Sequence, residues 1–66
     1  MPFDLTDKEK QRVIDALDRL SRTQIERILM AAGNFAKWLA STFADIFRKI
    51  GDMISDMWAW LKGRFT

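Results

Sequence analysis

The chain of 66 residues contains no cysteine, no histidine and no tyrosine. Without cysteine it can form no disulfide, so the redox compartment stays open. Most nucleophilic and transition-metal chemistry depends on Cys or His side chains. The three glycines, Gly33, Gly51 and Gly63, are too far apart for a phosphate-binding loop. We therefore expect a protein that is not an enzyme and that has no catalytic residues, cofactor, metal or small-molecule substrate.

The chain also lacks a strong charge excess and a long apolar run. Its formal net charge is +2, with six acidic and six basic residues up to Gly33 and three acidic and five basic residues after it. A nucleic-acid binder usually concentrates more basic charge on one surface, which argues against that partner. The longest stretch without charge, 28–36, has nine residues, against about twenty for a bilayer span. The residues up to Lys10 lack the apolar core of a secretory signal peptide. We expect a cytoplasmic protein, with peripheral membrane contact as the alternative.

The first predicted helix begins after Thr6. Thr6 and Glu9 have the spacing of a capping box, in which each residue's side chain accepts a hydrogen bond from the other residue's backbone amide. Apolar residues then recur at helical spacing, which predicts a helix at about 7–20. Phe3 and Leu5, in the arm before it, are expected to pack back onto neighbouring residues.

A second helix is predicted at about 24–32. Thr23 and Glu26 match a second capping box. Gly33 tolerates the left-handed conformation that often ends a helix, and Asn34 is a good N-cap for the next one. The alternative is one continuous helix through this point, because a single glycine costs only about 1 kcal/mol inside a helix.

The last thirty-three residues divide into three blocks of eleven, Asn34–Ala44, Asp45–Ser55 and Asp56–Thr66. Their apolar positions coincide in three columns, namely Phe35/Ile46/Met57, Leu39/Ile50/Leu61 and Phe43/Ile54/Phe65. Eleven residues make three helical turns at about 3.67 residues per turn, which predicts one long amphipathic helix at about 35–62. The same register extends back to Leu17 and Ile28 less regularly.

These elements predict an all-α fold with a single small domain over 1–66. Residues 1–33 would form a hairpin-like head and 34–66 the long helix. At 1.5 Å per residue the helices would measure about 21, 14 and 42 Å. Because the short helices cannot cover the long one from all sides, we expect oligomerisation to complete a helical bundle.

The apolar stripe of the long helix fills close to half its circumference, more than a two-stranded coiled coil needs. Packing inside the protein or its own oligomer is the simplest explanation, and boundary tryptophans also suit a protein interface or a lipid interface. The predicted interaction surface consists of Phe35, Trp38, Leu39, Phe43, Ile46, Phe47, Ile50, Met53, Ile54, Met57, Trp58 and Leu61.

Three carboxylates, Asp45, Asp52 and Asp56, fall on one line of the polar face and could in principle hold a hard cation. The four-apart pairs Asp45–Lys49 and Arg48–Asp52 favour an ordinary solvated face instead.

Two functions remain open from the sequence. The first is a non-enzymatic interaction protein that self-associates or binds a partner protein through the apolar face of its C-terminal helix. The second is a protein that binds or disrupts a membrane surface. In period alone, the eleven-residue repeat of the second half resembles those of apolipoproteins and synucleins, and this resemblance implies a lipid surface as the partner.

Overall fold

The computed structural model describes residues 4–65, which form five α-helices and one 3-10 turn, with no strand among them. The all-α prediction, with two short helices in the first half, is confirmed. Of the helices in this part of the chain, none is long and apolar enough to cross a membrane. The elements are α1 Asp7–Asp18, α2 Arg22–Leu29, α3 Ala32–Thr42, α4 Ala44–Ile50, the 3-10 turn Gly51–Met53 and α5 Ile54–Phe65.

Helix α1 begins with the predicted capping box. The Glu9 amide donates to Thr6 Oγ1 at 3.2 Å, and the Thr6 amide donates to Glu9 Oε1 at 3.0 Å. These bonds satisfy two donors that the first turn would otherwise leave unpaired. Leu5 is buried, as the sequence predicted, whereas Phe3 lies outside the described residues.

Helix α2 begins two residues earlier than predicted. Its capping box is formed by Ser21 and Gln24, with the Gln24 amide donating to Ser21 Oγ at 3.2 Å and the Ser21 amide to Gln24 Oε1 at 3.0 Å. The Thr23–Glu26 box was therefore the wrong one of two overlapping matches. Serine followed three residues later by glutamine meets the same physical requirement.

The break between α2 and α3 lies before the predicted Gly33–Asn34 stop. Ala31 is extended, with φ −148° and ψ 150°, and α3 begins at Ala32. Gly33 and Asn34 therefore belong to the first turn of α3, and neither residue ends α2. The Asn34 side-chain amide donates instead to the Arg27 carbonyl at 3.2 Å, which satisfies an acceptor near the end of α2.

The second half is helical, but it is not one straight rod. A helix over 35–62 would measure about 42 Å, and the longest dimension of the molecule is 28 Å. The backbone turns at Phe43, with φ −135° and ψ 69°, and again at Gly51, with φ +48° and ψ −114°. The 22 residues Ala44–Phe65 thus continue as α4, the 3-10 turn and α5. The predicted continuity over 35–62 is corrected to three helices.

Successive eleven-residue repeats correspond to successive helices, and they are not consecutive turns of one helix. Each of four helices contributes two core residues four apart, and all eight are at most 4% exposed. Helix α2 departs from the pattern, because Gln24 is exposed and Leu29 takes the buried place. The pairs are Val13/Leu17, Phe35/Leu39, Ile46/Ile50 and Met57/Leu61.

One apolar core joins all five helices. Its buried members come from every helix and include Leu5 from the arm. Helix α2 packs against both α3 and α5, so the first half of the chain contacts the second half at two of its helices.

Candidate interaction surface

The predicted interaction stripe lies mostly inside the molecule. In the folded form most of its members belong to the core or pack against it. Met53, at 42% exposure, is the one member that is well exposed. The six buried members are Phe35, Leu39, Ile46, Ile50, Met57 and Leu61. The five half-buried members, which pack against that core, are Trp38, Phe43, Phe47, Ile54 and Trp58.

Two ion pairs connect α1 to α4 across the surface of the bundle. Lys49 Nζ lies 2.8 Å from Glu9 Oε1, and Arg12 Nη1 lies 3.4 Å from Asp45 Oδ2. The hydrogen bond from Lys49, followed by the Thr6 amide, lowers the pKa of Glu9 from 4.5 to about 2, and the bond to Glu9 raises the pKa of Lys49. The predicted Asp45–Lys49 pair is thus replaced by two contacts between helices.

The predicted carboxylate line gathers no metal ligands. Among residues 4–65, no three acidic side chains are grouped closely enough to hold an ion. Asp45 points to Arg12 of α1, and Asp52 lies in the 3-10 turn while Asp56 lies in α5. The turn at Gly51 separates positions that a continuous helix would have aligned.

Trp38 and Trp58 contact helix ends and the edge of the core. Trp58 Nε1 donates to the Leu29 carbonyl at 2.9 Å, which connects α5 to the last turn of α2. The Lys62 ammonium lies 4.9 Å from the Trp58 ring centroid. Trp38 meets Phe43 edge to face, with centroids 6.0 Å apart. These contacts give Trp38 and Trp58 structural roles within the chain.

An apolar groove lies between α2 and the end of α5, and we call it the α2–α5 groove. Its volume is about 700 Å³. Met30, on its edge, is 66% exposed, more than any other large hydrophobic side chain among the described residues. The groove is lined by Arg22, Thr23, Ile25, Glu26, Arg27, Leu29, Met30, Lys62 and Phe65.

The rim of the α2–α5 groove is basic. Arg22, Arg27 and Lys62 line it together with one acidic residue, Glu26, which gives a formal charge of +2. Arg22 Nε lies 3.4 Å from Glu26 Oε1, and both side chains are well exposed. Such an exposed pair is weak and screened by salt, so its groups remain accessible to a partner's charges.

Sequence reasoning missed this groove because it assigned α2 the task of covering the long helix. The signal was present in Met30, which follows Leu29 directly and therefore lies about 100° further round the helix. A large apolar side chain beyond the core-facing stripe is informative when neighbouring residues extend it into a patch. Here the half-buried Ile25 and Phe65 provide that extension.

In comparisons with known proteins, no protein family, no curated protein and no solved structure matches this chain.

Proposed function

We propose that this chain is a non-enzymatic interaction protein that binds an acidic amphipathic helix of a partner protein in the α2–α5 groove. The observation that carries the proposal is the exposed apolar lining around Met30 combined with a basic rim. The working surface then includes the end of the C-terminal helix, through Lys62 and Phe65, and the last turn of α2.

The dimensions of the groove suit a helix of a few turns. Helix α2 has eight residues, which correspond to about 12 Å of groove wall, and α5 adds Lys62 and Phe65 near its end. A helix bound in a groove inserts apolar side chains at positions i, i+3, i+4 and i+7. Ile25 and Phe65, both half-buried, offer the complementary floor, and Met30 adds an unbranched side chain that adapts to different partners.

The charges favour acidic flanks on the bound helix. Carboxylates beside its apolar anchors would meet Arg22, Arg27 and Lys62, and such complementarity speeds association and selects among partners. A second copy of this chain fits less well. A two-fold symmetric contact centred on the groove would place the same three basic residues of both copies against each other.

Selection from a peptide library tests the proposal, because it requires only the chemistry of the partner helix. A displayed library of amphipathic helical peptides is selected on the full chain and counter-selected on the Met30→Asp variant. We expect the enriched peptides to carry apolar residues at i, i+3, i+4 and i+7 and an excess of Asp and Glu. Their binding, followed by calorimetry at low salt, should weaken at least about tenfold on Met30→Asp, because a carboxylate would be desolvated beside an acidic ligand.

The matched control is Met53→Asp, which changes the other exposed methionine, at a position outside the groove. This variant should retain the affinity of the unmodified chain. Two results would overturn the proposal, namely an enriched set without acidic excess or peptides that bind Met30→Asp as tightly as the unmodified protein.

A further inference from the structure

The apolar register of the second half runs without interruption through the two backbone turns. The columns that are buried in α3, α4 and α5 keep a spacing of eleven across both Phe43 and Gly51. The third column, Phe43, Ile54 and Phe65, is half-buried at all three positions. At about 100° per residue each block advances only about 20° beyond three full turns. The side chains that form the core of the bundle would therefore lie on one face of a continuous helix.

Helix-breaking residues do not account for both turns. No proline occurs after Pro2, and the Phe43 turn contains neither glycine nor proline. At that turn the Phe43 amide donates to the Leu39 carbonyl at 2.7 Å, and the Phe47 amide donates to the Phe43 carbonyl at 2.9 Å. Helical hydrogen bonds thus continue on both sides, and the change of direction is confined to one residue. Gly51 ends α4 in the folded-back form, but a glycine inside a continuous helix costs only about 1 kcal/mol.

What holds the folded-back form is mainly apolar contact. The core contains no buried polar or charged residue among the described positions. Two surface ion pairs, Glu9–Lys49 and Arg12–Asp45, add the charged contacts between α1 and α4. Hydrophobic burial is non-directional, so lipid chains can replace the core as the medium that covers the stripe.

From these observations we propose that, on an anionic bilayer surface, residues 32–65 straighten into one amphipathic helix that lies in the interface. The apolar columns then contact lipid instead of α1 and α2. This segment carries five basic and three acidic residues, and the excess favours anionic headgroups. The inference goes beyond groove binding, since it assigns a lipid surface to side chains that the folded-back form buries.

A distance measurement tests the opening directly. The chain lacks cysteine, so the double variant Gly33→Cys and Arg64→Cys carries two nitroxide labels at exposed positions. Space is open around Gly33. In solution the two backbone sites lie within the 28 Å extent of the molecule. On vesicles of phosphatidylglycerol and phosphatidylcholine we expect a distance near 46 Å, from 31 residues at about 1.5 Å each. Failure to bind these vesicles would overturn the proposal, and so would binding with the solution distance retained.

A glycine variant tests the same equilibrium independently. Gly51→Ala disfavours the positive φ of the turn and favours a helix, so it should lower the vesicle concentration for half-maximal binding at least about fivefold. Gly63→Ala, inside α5, raises helix propensity without touching a turn and should change that concentration by less than about twofold. Tryptophan emission follows binding, because Trp38, Trp58 and Trp60 all lie in the segment. Equal effects of the two variants would contradict the proposed straightening.

Discussion

Replacing each glycine by alanine distinguishes the compact fold from a continuous helix. The decisive result is whether Gly51→Ala lowers or raises the free energy of unfolding. Gly51 has φ +48° and ψ −114°, a combination that L side chains rarely adopt. A Cβ at this position would meet no atom within 4 Å, so the cost of Gly51→Ala comes from backbone strain alone. Strain of this kind costs about 1–3 kcal/mol.

That cost is large for so small a domain. At roughly 0.05–0.15 kcal/mol per residue, the 66 residues have a free energy of unfolding of about 3–10 kcal/mol. A loss of about 2 kcal/mol would lower the Tm by about 8–16 °C, since about 1 kcal/mol shifts a domain of this size by 4–8 °C. Circular dichroism at 222 nm follows both thermal and urea unfolding of the variant.

The matched controls are Gly33→Ala and Gly63→Ala, which lie inside α3 and α5 with open space around the added Cβ. Alanine should stabilise at these positions by up to about 1 kcal/mol, because it has higher helix propensity and restricts the unfolded chain. A continuous helix over 35–62 would make Gly51→Ala favourable or neutral as well. If Gly51→Ala raised the Tm as Gly63→Ala does, the turn at Gly51 would be refuted.

Three further predictions concern the core, a helix end and an ion pair. Phe35→Ala should lower the free energy of unfolding by about 3–5 kcal/mol, because the ring is fully buried; a loss below about 1 kcal/mol in urea titration would place Phe35 outside the core. Trp58→Phe should cost about 1 kcal/mol by removing the donor to the Leu29 carbonyl, and faster amide exchange at the end of α2 would show the same loss. Since the pKa of Glu9 is lowered from 4.5 to about 2 beside Lys49 and Thr6, its contribution to stability should be complete above pH 4.5 and disappear as the pH falls towards 2. In urea titrations, the free energy of unfolding should fall less between pH 5 and 2 for Glu9→Gln than for the unmodified chain. Equal falls would show that the ionisation of Glu9 does not contribute to stability.

The elements that local chemistry controls were predictable from the sequence. The capping box of α1 needs only Thr6 and Glu9 at the right spacing, and the structure confirms it. The start of α2 was misplaced because Ser21 and Thr23 both precede a suitable partner by three residues. Local spacing alone does not decide between the two overlapping caps.

The α2–α5 groove could not be predicted from local sequence patterns. Ile25, Leu29 and Met30 lie on α2 and at its end, whereas Lys62 and Phe65 lie more than thirty residues later on α5. No spacing in the sequence relates these two groups. They meet because the turns at Phe43 and Gly51 bring the end of α5 back against α2.

The sequence by itself determined that the protein is helical and which residues are apolar partners, because the eleven-residue repeat selects two core positions in most helices. It could not determine whether those positions align along one rod or converge in a bundle, since both arrangements satisfy the same period. Tertiary structure decided this through two turns, at Phe43 and Gly51. Folding back buries the stripe within a single chain, and that burial is available only once helices from both halves meet.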